Sequence, residues 1–151
     1  MSKIKIGFIG SGGAAKLHAR DLKNFQEAHI QAFSDVDEKT AQEASKEFGG
    51  TVYKTYDEML DQENLDATYI CTPPMVRLGP IERACEKGLH IFLEKPFAPT
   101  LDEGKKIYQA VTKAGKNFQI GYQTRFQPAV RRAKEVIADG SIGPITMFYG
   151  E

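Results

Sequence analysis

The sequence lacks a surplus of charge of either sign, because twenty lysine and arginine residues balance twenty aspartate and glutamate residues among 151. This balance gives no reason to expect a nucleic acid or an anionic membrane as a partner. Long apolar runs are also missing. The first one, at residues 4–9, is too short for a signal-peptide core, and no other approaches the length of a membrane span. We therefore expect a cytoplasmic protein.

Cysteine is scarce, and internal repeats and low-complexity segments are absent. The two cysteines, Cys71 and Cys85, have neither a CxxC spacing nor a histidine cluster beside them. Reduced, core-packed thiols are favoured over a disulfide or a metal site, and no metal is expected. The length and the 41% hydrophobic content suit one globular domain with a sizeable core.

What the sequence does contain is an alternation of short apolar runs and longer amphipathic stretches. Strands are predicted at 4–9, 29–34, 52–53, 67–71, 89–93 and 117–120, and helices at 14–25, 40–48, 56–60, 80–87 and 101–114. Leu17, Leu22 and Phe25 form the predicted apolar stripe of the first helix. Because repeated strand–helix–strand units with apolar strands are typical of parallel sheets, the pattern predicts an α/β, doubly wound parallel sheet of the Rossmann type.

The C-terminal segment departs from this alternation. A helix is predicted at 127–139 and an apolar strand at 145–149, which would have no partner strand at the end of the chain. We therefore divide the chain into a dinucleotide-binding domain, 1–122, and a segment, 123–151. The segment is interpreted as a linker helix and the first strand of a second α/β domain, truncated at the C-terminus. The alternative is an extra edge strand on the first sheet.

The glycine-rich turn after the first strand carries the strongest local signal. Residues 10–15 match G-x-G-x-x-A between a strand and a helix. In this pattern Gly10 permits a tight turn, Gly12 lets the main chain approach a diphosphate, and Ala15 lets the helix pack on the strand. The N–H groups at the helix N-terminus attract the phosphates. The cofactor-binding residues predicted here are Gly10, Ser11, Gly12, Gly13, Ala14 and Ala15.

An acidic residue, Asp35, follows the second predicted strand, twenty-three positions after Gly12. A carboxylate there accepts hydrogen bonds from the ribose hydroxyls of NAD and repels the 2′-phosphate of NADP. A helix cap is the alternative role, although Asp37 suits the cap of the next helix better. NAD is therefore favoured, with NADP as the alternative because Lys39 lies close by.

The run Glu94-Lys95-Pro96 directly follows the fifth predicted strand. A lysine in this place, beside a nicotinamide site, can have its pKa lowered by desolvation and can exchange a proton with a substrate. The alternative is a solvated Glu–Lys pair in a loop. The bond before Pro96 is a candidate for the cis form.

Several motifs occur together in a characteristic order. They are the glycine turn, Asp35, Cys71-Thr72-Pro73-Pro74, residues 88–96, the Gly-Tyr-Gln-Thr-Arg-Phe segment at 121–126 and the Gly-Ser-Ile-Gly segment at 140–143. Together they resemble the glucose–fructose oxidoreductase, inositol dehydrogenase and MocA family (Gfo/Idh/MocA) over essentially the whole chain. The resemblance implies an NAD(P)-dependent oxidoreductase that transfers a hydride between the nicotinamide and a hydroxyl of a sugar, polyol or related compound. It also implies that Lys95 is catalytic and that Thr72, Pro73 and Glu94 line the cofactor.

The resemblance further implies a second domain that supplies most of the substrate pocket and joins the subunits of a homo-oligomer. The chain alone is therefore expected to bind cofactor but to turn over little or no substrate. Arg77 stands where the family commonly has a histidine, and contact with the cofactor phosphates or capping of the next helix are its alternatives. Arg125 is assigned to the cofactor, with substrate contact as the alternative. His18 is assigned a helix-surface or capping role, with a place near the diphosphate as the alternative.

Two other functions stay open at this point. Adenosylmethionine-dependent methyltransferases also use a glycine turn and an acidic residue after the second strand, but residues 94–96 and 121–126 have no role in them. A non-enzymatic sensor or regulator that binds NAD(P) keeps the fold without the chemistry, and the presence of Lys95 argues against it.

Overall fold

The computed structural model describes residues 3–149. The chain separates into two compact units, the first ending at Gly121 and the second beginning at Tyr122. Residues 1 and 2 of the predicted first domain, and residues 150 and 151 of the predicted C-terminal segment, lie outside the described residues.

The first unit alternates strands and helices as the sequence predicts. The strands are β1 (Ile4–Ile9), β2 (Ala28–Ser34), β3 (Thr51–Tyr53), β4 (Ala67–Ile70), β5 (His90–Leu93) and β6 (Phe118–Ile120). The helices are α1 (Gly13–Leu22), α2 (Glu38–Phe48), α3 (Tyr56–Gln62), α4 (Leu78–Glu86) and α5 (Leu101–Ala114). A single 3-10 turn, Pro74–Val76, precedes α4.

The six strands form one parallel sheet in the order β3-β2-β1-β4-β5-β6. This order confirms the predicted doubly wound fold, because it is the strand order of a Rossmann sheet. The chain leaves β1 toward β2 and β3 and then returns to β4 on the other side of β1. Sheets of this kind bind ligands at such a reversal, beyond the carboxyl ends of the strands.

Two apolar clusters cover the two faces of the sheet. One joins the strands to α3, α4 and α5 and includes Ile9, Ile70 and Leu93. The other joins them to α1 and α2, and in it the rings of Phe8 and Phe33 stack with their centroids 5.0 Å apart. The sheet is therefore packed on both faces, which fixes the positions of the strand ends from which the segments at its carboxyl edge continue.

Helix α1 packs on the sheet through small side chains and not through the predicted stripe. Ala15 and Ala19 are fully buried, whereas Leu17 is 51% exposed. Leu22 is partly buried, and Phe25 lies beyond the end of the helix and is exposed. The stripe prediction was wrong because a helix that follows a glycine turn lies close to the neighbouring strand, where only small side chains fit.

The local sequence explains where the helices begin and end. Thr100 caps α5 by accepting the Glu103 N–H group at 3.2 Å, and Gly115 ends the helix in the left-handed conformation. Helix α2 ends at Gly49, whose φ of 84° is also positive but whose ψ of −174° differs from that of a left-handed helical residue. The predicted bounds of α5 and the predicted end of α2 are confirmed.

The second unit contains a 3-10 turn, Gln123–Phe126, and helix α6 (Pro128–Ala138). Residues 145–149, predicted as a strand, form no regular secondary structure and are exposed. Their assignment to the first strand of a second domain stays a prediction. The alternative, an extra edge strand on the first sheet, is wrong because β6 and β3 are the edges of that sheet. A strand needs a neighbouring strand for its main-chain hydrogen bonds, and residues 145–149 have none within the described part of the chain.

The described residues also bear on disulfide bonding, metal binding and membrane spanning. Cys71 and Cys85 are both free thiols, as predicted. Within residues 3–149, no group of three or more histidine, cysteine, aspartate or glutamate side chains is placed to hold a metal ion. Among the helices of the same residues, none has both the length and the apolar character needed to span a bilayer.

Candidate cofactor-binding site

The turn between β1 and α1 lies at the carboxyl edge of the sheet, where the strand order reverses. Gly10 has a φ of 85°, in the left-handed region that favours glycine. A Cβ atom on Gly10 would lie 3.0 Å from the main-chain carbon of Cys71 and 3.0 Å from the nitrogen of Thr72. Gly10 is thus required twice, by its conformation and by the close approach of the segment after β4.

Gly12 and Gly13 have the opposite environment. A Cβ atom on either residue would meet no protein atom within 4 Å. Gly12 also has an ordinary φ of −71°, so the packing and the conformation of the chain leave room for a side chain there. Open space directly above the main chain is what a group that docks closely on the turn requires.

The N-terminus of α1 differs from those of α3 and α5. Thr55 and Thr100 cap those two helices, and acidic residues occupy their first turns. At α1 the N-cap residue is Gly12, which provides no side chain, and the first turn contains no acidic residue. The positive end of the α1 dipole and its N–H groups are therefore available to an external anion.

Asp35 contacts the glycine turn directly. Its Oδ2 accepts the main-chain N–H of Ser11 at 2.7 Å, and its Oδ1 accepts that of Asp37 at 3.0 Å. Asp37 occupies the N-cap position of α2, and its hydrogen bond from the Thr40 hydroxyl, at 2.5 Å, lowers the pKa of the Asp37 carboxyl. The helix-capping alternative for Asp35 is therefore wrong, and its carboxylate stays beside the turn.

Thr72 and Pro73 follow β4, on the other side of the reversal from Asp35. The Oγ1 atom of Thr72 is buried, yet it has no hydrogen-bond partner among the described residues. Buried hydroxyl groups in folded proteins are nearly always paired, because an unpaired one is costly. A polar group of a bound molecule would supply the missing partner at this position.

The Glu94-Lys95-Pro96 segment continues from β5. Glu94 is 6% exposed, and its Oε2 accepts the main-chain N–H of Lys95 at 3.0 Å. The Lys95–Pro96 peptide bond is cis, as predicted. The Lys95 side chain is exposed, so the described residues do not themselves provide the desolvation that its predicted role invokes.

His18 lies on α1 and faces the ends of β4 and β5. Its Nε2 and Oε1 of Glu94 are 2.7 Å apart, and its ring lies against the rings of Tyr69 and Phe92 at centroid distances of 5.6 and 4.8 Å. The prediction of a surface or capping role was wrong. Glu94 is separated from His18 by 76 positions, so the pairing depends on the folded sheet and leaves no local signal in the sequence.

Arg77 is 3% exposed and joins the segments that follow β4 and β5. Its Nε donates to the carbonyl oxygen of Thr72 at 2.9 Å, and its Nη2 donates to that of Lys95 at 3.2 Å. Its Nη1 donates to the carbonyl oxygens of Glu94 and Pro96. Arg77 stands at the N-cap position of α4, where its side chain makes no capping bond.

These bonds correct the assignment of Arg77 to the cofactor phosphates. Carbonyl groups at the ends of two neighbouring parallel strands converge on one point, and a planar guanidinium satisfies several of them at once. The described contacts therefore make Arg77 a residue that positions the two segments. A guanidinium carries five N–H donors, which suits Arg77 to bind several carbonyl oxygens at once.

Cys71 lies between the glycine turn and Glu94. Burial raises the pKa of the Cys71 thiol to about 12, and the nearby negative charge of Glu94 adds to the shift. Since a thiol must ionise to act as a nucleophile, Cys71 is unreactive at neutral pH. It serves as a packing residue beneath the site.

Arg125 belongs to the second unit, in the 3-10 turn Gln123–Phe126. Its guanidinium carbon lies 5.8 Å from the centroid of the Phe126 ring, and that of Arg131 lies 5.5 Å from the same centroid. These distances are typical of cation–π pairs. The assignment of Arg125 to the cofactor remains a prediction.

Comparison with known proteins gives a consistent result. The sequence model of the oxidoreductase family with an NAD-binding Rossmann fold, GFO_IDH_MocA, matches residues 4–122. Inositol 2-dehydrogenase/D-chiro-inositol 3-dehydrogenase of Lacticaseibacillus casei is 30% identical over 144 residues, which are 93% of this chain and 42% of that protein.

Two solved structures share the fold over nearly the whole chain. Myo-inositol 2-dehydrogenase from Lactobacillus plantarum is 30% identical with a TM-score of 0.88, covering 95% of this chain and 43% of that one. Scyllo-inositol dehydrogenase from Lactobacillus casei, with bound NAD(H) and scyllo-inositol, is 33% identical with a TM-score of 0.87, covering 96% and 44%. The chain thus spans less than half the length of these relatives.

Proposed function

This chain belongs to the GFO_IDH_MocA oxidoreductase family, and we propose that its first unit binds NAD across the carboxyl edge of the sheet. The single observation that carries the proposal is the uncapped N-terminus of α1 beneath the open space at Gly12. There the main-chain N–H groups of the first turn receive the diphosphate. The two nucleoside halves then extend to either side of the strand-order reversal.

The adenosine half lies on the β2 side in this proposal. Asp35 accepts hydrogen bonds from the ribose hydroxyls. Its hydrogen bond from the Ser11 amide holds the carboxylate beside the turn, where these hydroxyls would lie. A negative charge at this point disfavours the 2′-phosphate of NADP. NAD is therefore the proposed cofactor.

The nicotinamide half lies on the side of β4 and β5. The unpaired, buried hydroxyl of Thr72 is available to hydrogen-bond this half of the cofactor, and Pro73 and Glu94 line the same side of the proposed nicotinamide site. When bound, NAD supplies the hydride acceptor or donor. Lys95, in a segment held by Arg77, is proposed to hold or move the proton of the substrate hydroxyl.

We propose further that the chain works as part of an NAD-dependent oxidoreductase that acts on a hydroxyl of a sugar, polyol or related compound. The support is that inositol dehydrogenases are among the relatives that match 93–95% of this chain. A homo-oligomer formed through a second α/β domain is part of the same proposal. So is a cytoplasmic location, which the two free thiols favour.

The experiment that tests the enzymatic role follows NADH absorbance when myo-inositol and NAD are added to the protein that carries this chain. We expect Lys95→Ala to remove most of the rate while NAD still binds. Lys106→Ala, at an exposed position of α5, is the matched control and keeps the wild-type rate. Full activity of Lys95→Ala would contradict the role of Lys95. NAD binding without turnover of any sugar or polyol would favour a sensor instead.

A further inference from the structure

His18 and Glu94 connect two parts of the proposed site that belong to different elements. His18 is on α1, about one and a half turns past the first residue of the helix whose N-terminus is proposed to hold the diphosphate. Glu94 follows β5 and directly precedes Lys95. The 2.7 Å bond between His18 Nε2 and Glu94 Oε1 therefore spans from the cofactor helix to the lysine segment.

Both partners of this bond are shielded from water. The side chain of His18 is 14% exposed and that of Glu94 is 8% exposed. The groups that face His18 are Glu94 itself and the rings of Tyr69 on β4 and Phe92 on β5. A carboxylate in such surroundings depends on every donor it has, because a buried charge without partners is expensive.

The second carboxylate oxygen of Glu94 contacts the main chain of Lys95. Glu94 Oε2 accepts the main-chain N–H of Lys95 at 3.0 Å, while Arg77 Nη2 donates to the main-chain oxygen of Lys95 at 3.2 Å. The main chain of Lys95 is thus held at its N–H by Glu94 and at its carbonyl by Arg77. Arg77 fixes the segment to the β4 side, and Glu94 fixes it to α1 through His18.

We propose that His18 is a positioning residue that orients Lys95 through Glu94. By holding Oε1, His18 fixes the rotation of the Glu94 carboxylate, and the position of Oε2 then sets the peptide that carries the Lys95 side chain. The inference rests on the proposed function, since it gives α1 and Lys95 their roles. One rigid helix would then fix both the diphosphate site and the proton-handling group, which is how enzymes hold reacting groups in a productive geometry.

The test measures amide hydrogen exchange by NMR in the 151-residue chain without any cofactor. His18→Gln places an amide donor at a similar reach, whereas His18→Leu fills the space without a donor. His18→Asn carries the same amide on a shorter side chain and serves as the second donor-deficient variant if His18→Leu does not fold. His29→Gln, at an exposed position of β2, is the control for replacing a histidine.

The amide of Glu94 provides an internal reference, because it donates to the carbonyl of Ile70 at 2.9 Å within the sheet. We expect exchange at Lys95 to accelerate about tenfold in His18→Leu and in His18→Asn, which is the loss of one charge-assisted hydrogen bond. Exchange at Glu94 stays unchanged, and His18→Gln stays within about twofold of the wild type at both amides, since its donor is retained.

Three outcomes would overturn the inference. The first is unchanged exchange at Lys95 in the donor-deficient variants, and the second is parallel acceleration at Lys95 and Glu94, which would indicate a general loosening of the sheet. The third is a His18→Gln variant that behaves like His18→Leu. Because no cofactor is present, NAD titration of the same samples tests the proposed function separately.

Discussion

The main-chain N–H of Ser11 donates a 2.7 Å hydrogen bond to Oδ2 of Asp35, which ties the turn after β1 to the end of β2. The same carboxylate is the proposed partner of the adenosine ribose. One side chain therefore shapes the diphosphate turn and contacts the neighbouring sugar. The two roles make Asp35 more sensitive to substitution than an exposed aspartate nearby.

We expect Asp35→Ala to weaken NAD binding about ten- to a hundredfold, because the ribose loses a charged acceptor and the turn loses its anchor. Isothermal titration calorimetry on the 151-residue chain measures this change. Asp37→Ala, two positions along and exposed, should bind NAD as the wild type does. Equal losses in the two variants would show that Asp35 has no specific role.

The two glycines of the turn should respond differently to the same substitution. Gly10→Ala places a Cβ in contact with the segment after β4 at a φ of 85°, and we expect the free energy of unfolding to fall by about 1–3 kcal/mol. The Cβ of Gly12→Ala would lie in open space, so this variant should change the free energy of unfolding by less than about 0.5 kcal/mol. Urea unfolding of both variants provides the measurement. A stable Gly10→Ala variant would contradict the packing described for the turn.

The sequence predicted those parts of the fold that local patterns determine. Helix α5 has the predicted bounds because Thr100 caps it and Gly115 ends it. The alternation of apolar strands and amphipathic helices likewise predicted the doubly wound sheet, and the glycine turn was placed correctly between β1 and α1. In each case the residues that decide the structure are close in sequence or belong to a motif with a fixed geometry.

Other features depended on which strands become neighbours. His18 pairs with Glu94, and Arg77 joins Thr72 to Lys95, only because β4 and β5 lie side by side and α1 contacts both strands through the His18 ring. Residues 145–149 form no strand for a related reason, since an apolar run becomes a strand only where another strand accepts its hydrogen bonds.

Arg77 should contribute to stability through the carbonyl groups that it joins. We expect Arg77→Met to lower the free energy of unfolding by about 2–4 kcal/mol, because several buried carbonyl groups lose a charged donor. Arg77→Lys keeps the charge but not the planar set of donors, so its free energy of unfolding should lie between those of the wild type and Arg77→Met. Urea unfolding at neutral pH measures both. A wild-type midpoint for Arg77→Met would contradict the positioning role.

Cys71 should make the protein less stable in alkali. Its pKa is raised from 9.0 to about 12 in the folded chain by burial and by Glu94. Above about pH 9 the thiol ionises in the unfolded chain but not in the folded one, so the unfolding free energy falls as the pH rises toward 12. Between about pH 8 and pH 10.5 the loss from this group is about 2 kcal/mol.

Cys71→Ala removes this contribution, so its unfolding free energy should fall less steeply than that of the wild type over the same pH range. Urea unfolding of both proteins at the two pH values gives the comparison, in which lysine and tyrosine titrations cancel. Cys85→Ala retains Cys71 and should follow the wild-type pH dependence closely. Identical slopes for Cys71→Ala and the wild type would show that the Cys71 thiol ionises freely in the folded chain.

The proposed cofactor site depends most on the uncapped N-terminus of α1, so its decisive test is a calorimetric titration of NAD into wild-type and Gly12→Ala chains. We expect saturable binding to the wild type, tighter for NAD than for NADP. We also expect a clear loss of affinity in Gly12→Ala, whose added methyl group occupies the open space above the turn without harming the fold. Equal affinity in the two chains, or a folded wild type that binds neither nucleotide at millimolar concentration, would rule out a diphosphate site at this turn.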